Sequence, residues 1–253
     1  MLHFFRKIRH DLIANSKSFR YFKYAIGEVV LVVLGILIAI QINYWNEQRK
    51  NNLRKEVYIQ RLNHDLARDT INLNNYIASC EKAIRAWRKT ERQIDKPNAT
   101  TDSIIEIATS MGLHPTIPME ELHNSTFNSL LSTGDIDLFQ EDHLVMLMDF
   151  YAIRERNSSR LLDNQEFSWS FWSDEFNFLF MEDKTSLFYS KQKEKFDEVK
   201  FLRTFYSLVK VNSGMMNSNR DVAHYGLVRT REVLKILNNP NENSYSDISY
   251  IFK

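Results

Sequence analysis

Apolar positions are spread unevenly along this chain of 253 residues, and their spacing changes character twice. Residues 25–42, AIGEVVLVVLGILIAIQI, form a run of eighteen in which Glu28 and Gln41 are the strongly polar positions. As an α-helix that run rises about 27 Å, close to the ~30 Å hydrocarbon core of a bilayer. Tyr24, Tyr44 and Trp45 stand at its ends, where interfacial aromatics concentrate. The pattern predicts a transmembrane helix over 24–45. A cleaved signal peptide has a shorter apolar core followed by a small-residue cleavage site, and QINYWNEQRK supplies none. A buried helix of a soluble protein is rarely apolar on every face. The expectation is an uncleaved anchor.

After the span the spacing turns amphipathic. Between residues 43 and 96 there is no Gly or Pro, and apolar or small residues recur at Ile59, Leu62, Leu66, Thr70, Leu73, Ile77, Cys80, Ile84 and Trp87. Their steps alternate between three and four, with one irregularity near Thr70. A long helix is predicted over 46–96, either following the span or continuous with it. It serves as a coiled-coil stalk or as one side of an antiparallel bundle, and the helical patterns downstream favour the bundle. Pro97 ends it, and Thr101 or Asp102 is placed to cap SIIEIATSM. GLHPTIP reads as a loop, and MEELHNSTFNSLLST as a short helix stopped by Gly134. A second long helix is predicted over about 140–180. Two more follow over 187–211 and 219–237, before NNPNENSYSD closes the domain. The fold class expected is all-α: a basic segment 1–23, a span 24–45 and a helical domain 46–253.

Charge changes little in this picture. Lys+Arg number 33 against Asp+Glu 32, so no bias toward nucleic acid exists, and KQKEKFDEVK mixes both signs as a solvated helix face does. Around the span, Arg6, Lys7, Arg9, Lys17, Arg20 and Lys23 precede and Arg49, Lys50, Arg54, Lys55 and Arg61 follow. That small excess puts the N-terminus in the cytoplasm and the large domain outside. Phe5, Ile8 and Leu12 share a helical face apart from Arg6, Arg9 and His10, which suits either a helix lying on an anionic leaflet or a basic tail that sets topology.

Helical spacing aligns Glu28, Val32, Gly35, Ala39 and Ile42 on one stripe. Gly35 and Ala39 form a small-x-x-x-small pair, which lets two helices approach closely. Glu28 lies about one turn inside the boundary, where burying its charge costs less than at the bilayer centre. Three readings stand: packing against Lys23 or a partner helix, an ion or proton path built with other chains, or tolerance near the interface.

Chemistry elsewhere is sparse. Glu120-x-x-His123 has the spacing that places a carboxylate and an imidazole on one helical face, and Asp221-x-x-His224 echoes it. A carboxylate-bridged centre needs two Glu-x-x-His pairs and two further glutamates, so surface or loop-capping roles are expected, with no metal and no cofactor. No Gly-rich phosphate loop, G-x-S-x-G or H-E-x-x-H occurs, and the single Cys80 rules out an intramolecular disulfide. Phe167, Trp169, Phe171, Trp172, Phe176, Phe178 and Phe180, set on all sides of one predicted helix, read as a buried wedge more than as a ligand-stacking patch.

YAIGEVVLVVLGILIAIQINYWNEQRK, preceded by FFRKIRHDLIANSK, resembles the start of a family of uncharacterised single-span membrane proteins typical of Bacteroidota bacteria. Its pattern runs A-I-G-E, aliphatics, G-I-L-I-A, Q-I-N, W-N-E. STFNSLLSTGDIDLFQEDHL resembles that family's second recurring stretch. The resemblance implies membrane location and a helical exterior, and it places Glu28, Gly35, Gln41, Asn43 and Trp45 in the signature. It brings no activity and no catalytic residues. The expected protein is therefore a non-enzymatic, membrane-anchored interaction subunit of a bacterial envelope assembly, in the inner membrane with its helical domain in the periplasm. Its expected partners are the lipid bilayer and a second copy or another membrane protein. The alternatives are an ion-conducting or transport subunit using Glu28, and a helical metalloenzyme.

Overall fold

The computed structural model describes residues 16–111, 117–170 and 174–239. No β-strand occurs among them. The basic stretch before Ser16, most of the GLHPTIP loop, Phe171, Trp172 and the end of the chain from Pro240 lie outside the described residues. The chain divides into two compact units, Met1–Val57 and Tyr58–Lys253.

Helix α1, Ser16–Ile94, is continuous over 79 residues. It contains Gly27 and Gly35 but no proline, so no backbone N–H is lost along it and no ring clashes with a preceding turn. Within the first unit its residues 22–50 are all exposed.

The second unit is built on residues 58–94 of α1, on α4 (Glu141–Ser170) and on α6 (Glu198–Asn238). Shorter elements lie between them: α2 (Thr101–Met111), α3 (Ser125–Thr133), a 3-10 turn Asp135–Leu138, a second 3-10 stretch Asp174–Phe180, and α5 (Leu187–Glu194). Three apolar clusters follow one another along the unit. The first joins Tyr58, Leu62 and Leu66 of α1 to Leu130, Leu147, Phe150, Val233 and Leu237. The middle one joins Leu73, Tyr76 and Cys80 to Leu161, Ala223 and Leu227. The third joins Ile84, Trp87 and Ile94 to Phe176, Phe201, Phe205 and Met216.

That order fixes the directions. α4 meets α1 in ascending order, from Leu147 beside Leu66 to Leu161 in the cluster of Cys80, so the two run parallel. α6 meets it in descending order and is antiparallel to both. A parallel neighbour requires the chain to travel back first. Residues 117–130 do this: Ile117 touches the third and middle clusters, Met119 and Leu122 the middle one, and Phe127 and Leu130 the first.

Local signals set the boundaries. The cap of α2 is Thr100, not Thr101 or Asp102: the Ser103 N–H donates to Thr100 Oγ1 at 3.3 Å and the Thr100 N–H donates to Ser103 Oγ at 3.0 Å, a reciprocal cap. Gly134 ends α3 as expected, at φ 73°, a left-handed conformation open to glycine without a Cβ clash. The helix expected over 140–180 ends at Ser170, and Asp174–Phe180 coils more tightly. Its rings accordingly do not surround one helix. Phe176 and Phe178 are buried, with Phe176 edge-on to Phe201 at 5.3 Å, while Phe167 and Trp169 stay exposed.

The last two helices also differ from expectation. The break falls at residues 195–197, where the Asp197 side chain caps α6 by accepting the Lys200 N–H at 2.9 Å. α6 then runs unbroken through the polar stretch 212–219. Asn212 and Asn219 look like loop residues but face inward: Ser168 Oγ donates to Asn212 Oδ1, and Asn164 Nδ2 donates to Asn219 Oδ1 at 2.7 Å. An amide oxygen engaged by a neighbouring helix is compatible with a helix interior, although Asn212 Nδ2 is itself buried without a partner among the described residues.

Candidate functional site

In the first unit, Glu28, Gly35, Ala39, Gln41 and Asn43 are all exposed along α1. Tyr24 is 77% exposed and Trp45 66%, with Tyr44 similar. A Cβ built on Gly35 would meet nothing within 4 Å. α1 is long and apolar enough to cross a membrane, and none of its most apolar stretch is buried. Exposed Val, Leu, Ile and Phe in one contiguous band far exceed what a soluble monomer tolerates.

The second unit contains a polar centre that periodicity alone does not announce. Asp69 of α1 is fully buried. It accepts from Arg154 Nη2 of α4 at 2.5 Å and from the His123 backbone N–H at 3.1 Å, and His123 Nδ1 lies 2.6 Å from its Oδ1. A carboxylate that already accepts from an arginine offers only lone pairs, so Nδ1 carries the proton. One turn earlier, Asp65 accepts from Thr126 Oγ1 at 2.5 Å. Burying a carboxylate costs several kcal/mol unless it is paired and hydrogen-bonded, and for Asp69 both conditions are met.

These contacts explain how the returning segment is held. Residues 117–124 form no regular element, so their backbone groups need partners from side chains. Asp69 provides one at the His123 N–H, and Asp65 holds the Thr126 side chain just inside the start of α3. Tyr151 and Phe127 stack beside the cluster at 4.0 Å, and Arg154 lies over both Phe150 and Tyr151 at 5.8 and 5.4 Å. Burial raises the Tyr151 phenol above its ordinary range; Arg154 opposes this while Asp65 and Asp69 add to it.

The helical pairing of Glu120 with His123 does not occur. α3 starts at Ser125, and His123 turns to Asp69 instead. On α6, Asp221 pairs with Arg220 at 2.7 Å. Among the described residues no group of three or more His, Cys, Asp or Glu is placed to hold a metal ion.

Asp65, Asp69 and Arg154 escaped the sequence reading. The signal available was the irregular step near Thr70, because the buried seam passes through Asp65 and Asp69, four apart, between Leu62 and Leu73. An aspartate at a seam position calls for an internal cation.

A family of unknown function (DUF6090) matches residues 28–94, which begins at the intramembrane candidate Glu28 and ends with α1. No curated protein and no solved structure matches the chain.

Proposed function

We propose that this chain is a single-span membrane protein that tethers a helical unit to the bilayer and works by association, its span pairing with the span of a second copy. The observation that carries the reading is the fully exposed apolar band of α1. Lipid covers such a band at no cost, whereas water does not. Within it, the stripe Glu28, Val32, Gly35, Ala39 and Ile42 combines a small-residue seam with one acid. Gly35, with open space around it, admits a second helix close to its backbone. Glu28 on the same face is sheltered from lipid by that contact and takes a hydrogen bond or a counter-charge across it.

The site is a bacterial inner membrane, with the N-terminus in the cytoplasm and the helical unit in the periplasm, following the small excess of Lys and Arg before the span. The helical unit then offers the docking surface of an envelope assembly.

Energy transfer between donor- and acceptor-labelled copies in native membranes tests the pairing. Gly35→Leu leaves the isolated helix unstrained but keeps backbones apart, so transfer falls to the level of an unrelated span. Transfer unchanged by Gly35→Leu contradicts self-association through this stripe.

A further inference from the structure

Residues 46–57 of α1 belong to the first unit and follow the apolar band. They are helical, yet none of them is buried. A helical stretch in water draws most of its stability from packing an apolar face. Here that face is uncovered: the apolar residues of the stretch, Leu53 and Val57, are 60% and 45% exposed.

Their placement matches the stripe inside the band. Asn46 stands eighteen positions after Glu28, Leu53 eighteen after Gly35, and Val57 eighteen after Ala39. At 3.6 residues per turn, eighteen positions make five whole turns, so each residue returns to the direction of its predecessor. α1 runs through this stretch unbroken, with no glycine or proline after Gly35. One face of the helix therefore carries Glu28, Gly35 and Ala39 within the band and Asn46, Leu53 and Val57 beyond it.

Charge is ordered around the same line. At 100° per residue, Glu47 and Arg54 flank the stripe on one side and Arg49 and Glu56 on the other, with Lys50 at its edge. Glu47, Lys50, Leu53 and Arg54 line one open groove, where Arg54 Nη2 donates to Asn51 Oδ1 at 2.9 Å.

We infer that the pairing proposed for the span continues out of the bilayer along residues 46–57, as a parallel contact with the same stretch of a second copy. The inference rests on that pairing and adds how far it extends and which residues meet. Two spans inserted the same way are parallel, so a two-fold axis sets each stripe residue against its own counterpart. Leu53 meets Leu53 and Val57 meets Val57, and both leave water. Asn46 meets Asn46, an amide pair that favours the in-register, two-stranded arrangement. The same axis turns opposite flanks toward each other: Glu47 of one copy faces Arg49 of the other, and Arg54 faces Glu56. Lys50 lays its stem along the seam and keeps its ammonium in water. Opposite signs on opposite flanks make the surface complementary to itself, which selects a second copy over an unlike partner.

Disulfide trapping of the full-length chain in native membranes tests this. A disulfide closes only where two Cβ atoms approach within about 4.5 Å, and Cys80 is buried, so the parent serves as the blank. Leu53→Cys and Val57→Cys change exposed positions and leave the buried core untouched. Under mild oxidation both yield covalent dimer roughly tenfold faster than Gln48→Cys and Lys55→Cys, which lie on the back of the helix. Energy transfer between labelled copies is read on the same four variants. Intact transfer with equal trapping at all four positions, with trapping on the back alone, or with none, overturns the extension and leaves the span pairing standing. Transfer at the level of an unrelated span, with no trapping, overturns both.

Discussion

Arg154 and Asp69 meet inside the helical unit at 2.5 Å, with the aspartate wholly shut off from water. The pair joins α4 to α1, and through the same carboxylate it holds the returning segment at His123. Asp69→Ala strands a buried guanidinium and frees that segment together. The expected loss is about 3–5 kcal/mol, measured by denaturant unfolding of the purified chain. Combining Asp69→Leu with Arg154→Met removes both charges and recovers most of the loss, which distinguishes a stranded charge from a lost contact.

Tyr151 leads to the opposite expectation. Its hydroxyl is buried without a partner while its ring stacks on Phe127. Tyr151→Phe keeps the stack and removes the orphan, so stability rises by about 1 kcal/mol. The pH dependence has a definite sign. The folded phenol is raised, mainly by burial, so the folded state holds its proton after the unfolded chain has begun to lose it. Its contribution is intact below the ordinary tyrosine range near pH 10 and is lost as pH rises above it. Thermal unfolding scanned from pH 8 to 11 therefore falls less steeply in Tyr151→Phe. A residual slope remains from Tyr76, whose phenol burial also raises.

Glycine-to-alanine exchange changes sign with position. At Gly134, φ of 73° forces a Cβ into the left-handed region, and alanine costs about 1 kcal/mol. At Gly214, inside α6 with nothing within 4 Å of the new Cβ, alanine gains about 0.5–1 kcal/mol by stiffening the unfolded chain. Unfolding midpoints of the two variants fall on opposite sides of the parent.

What the sequence made legible follows from periodicity. The apolar run, the long helix after it, the stop at Gly134 and the seam residues Leu62, Leu66, Leu73, Cys80, Ile84 and Trp87 could all be read because each depends on local spacing or on one backbone conformation. What could not be read depends on distant partners. Asn212 and Asn219 suggest a loop until Ser168 and Asn164 face them. Glu120 and His123 suggest a helical pair until Asp69, fifty-four positions before His123, takes the histidine. The parallel course of α1 and α4 is equally invisible locally, since it rests on an irregular segment pinned by two buried aspartates.

The central claim is that the apolar part of α1 lies in a bilayer. Washing native membranes with alkaline carbonate tests it most directly, because the treatment strips peripheral proteins and leaves integral ones. The account predicts that the full-length chain stays in the membrane pellet; its release into the supernatant contradicts the span and the pairing built upon it.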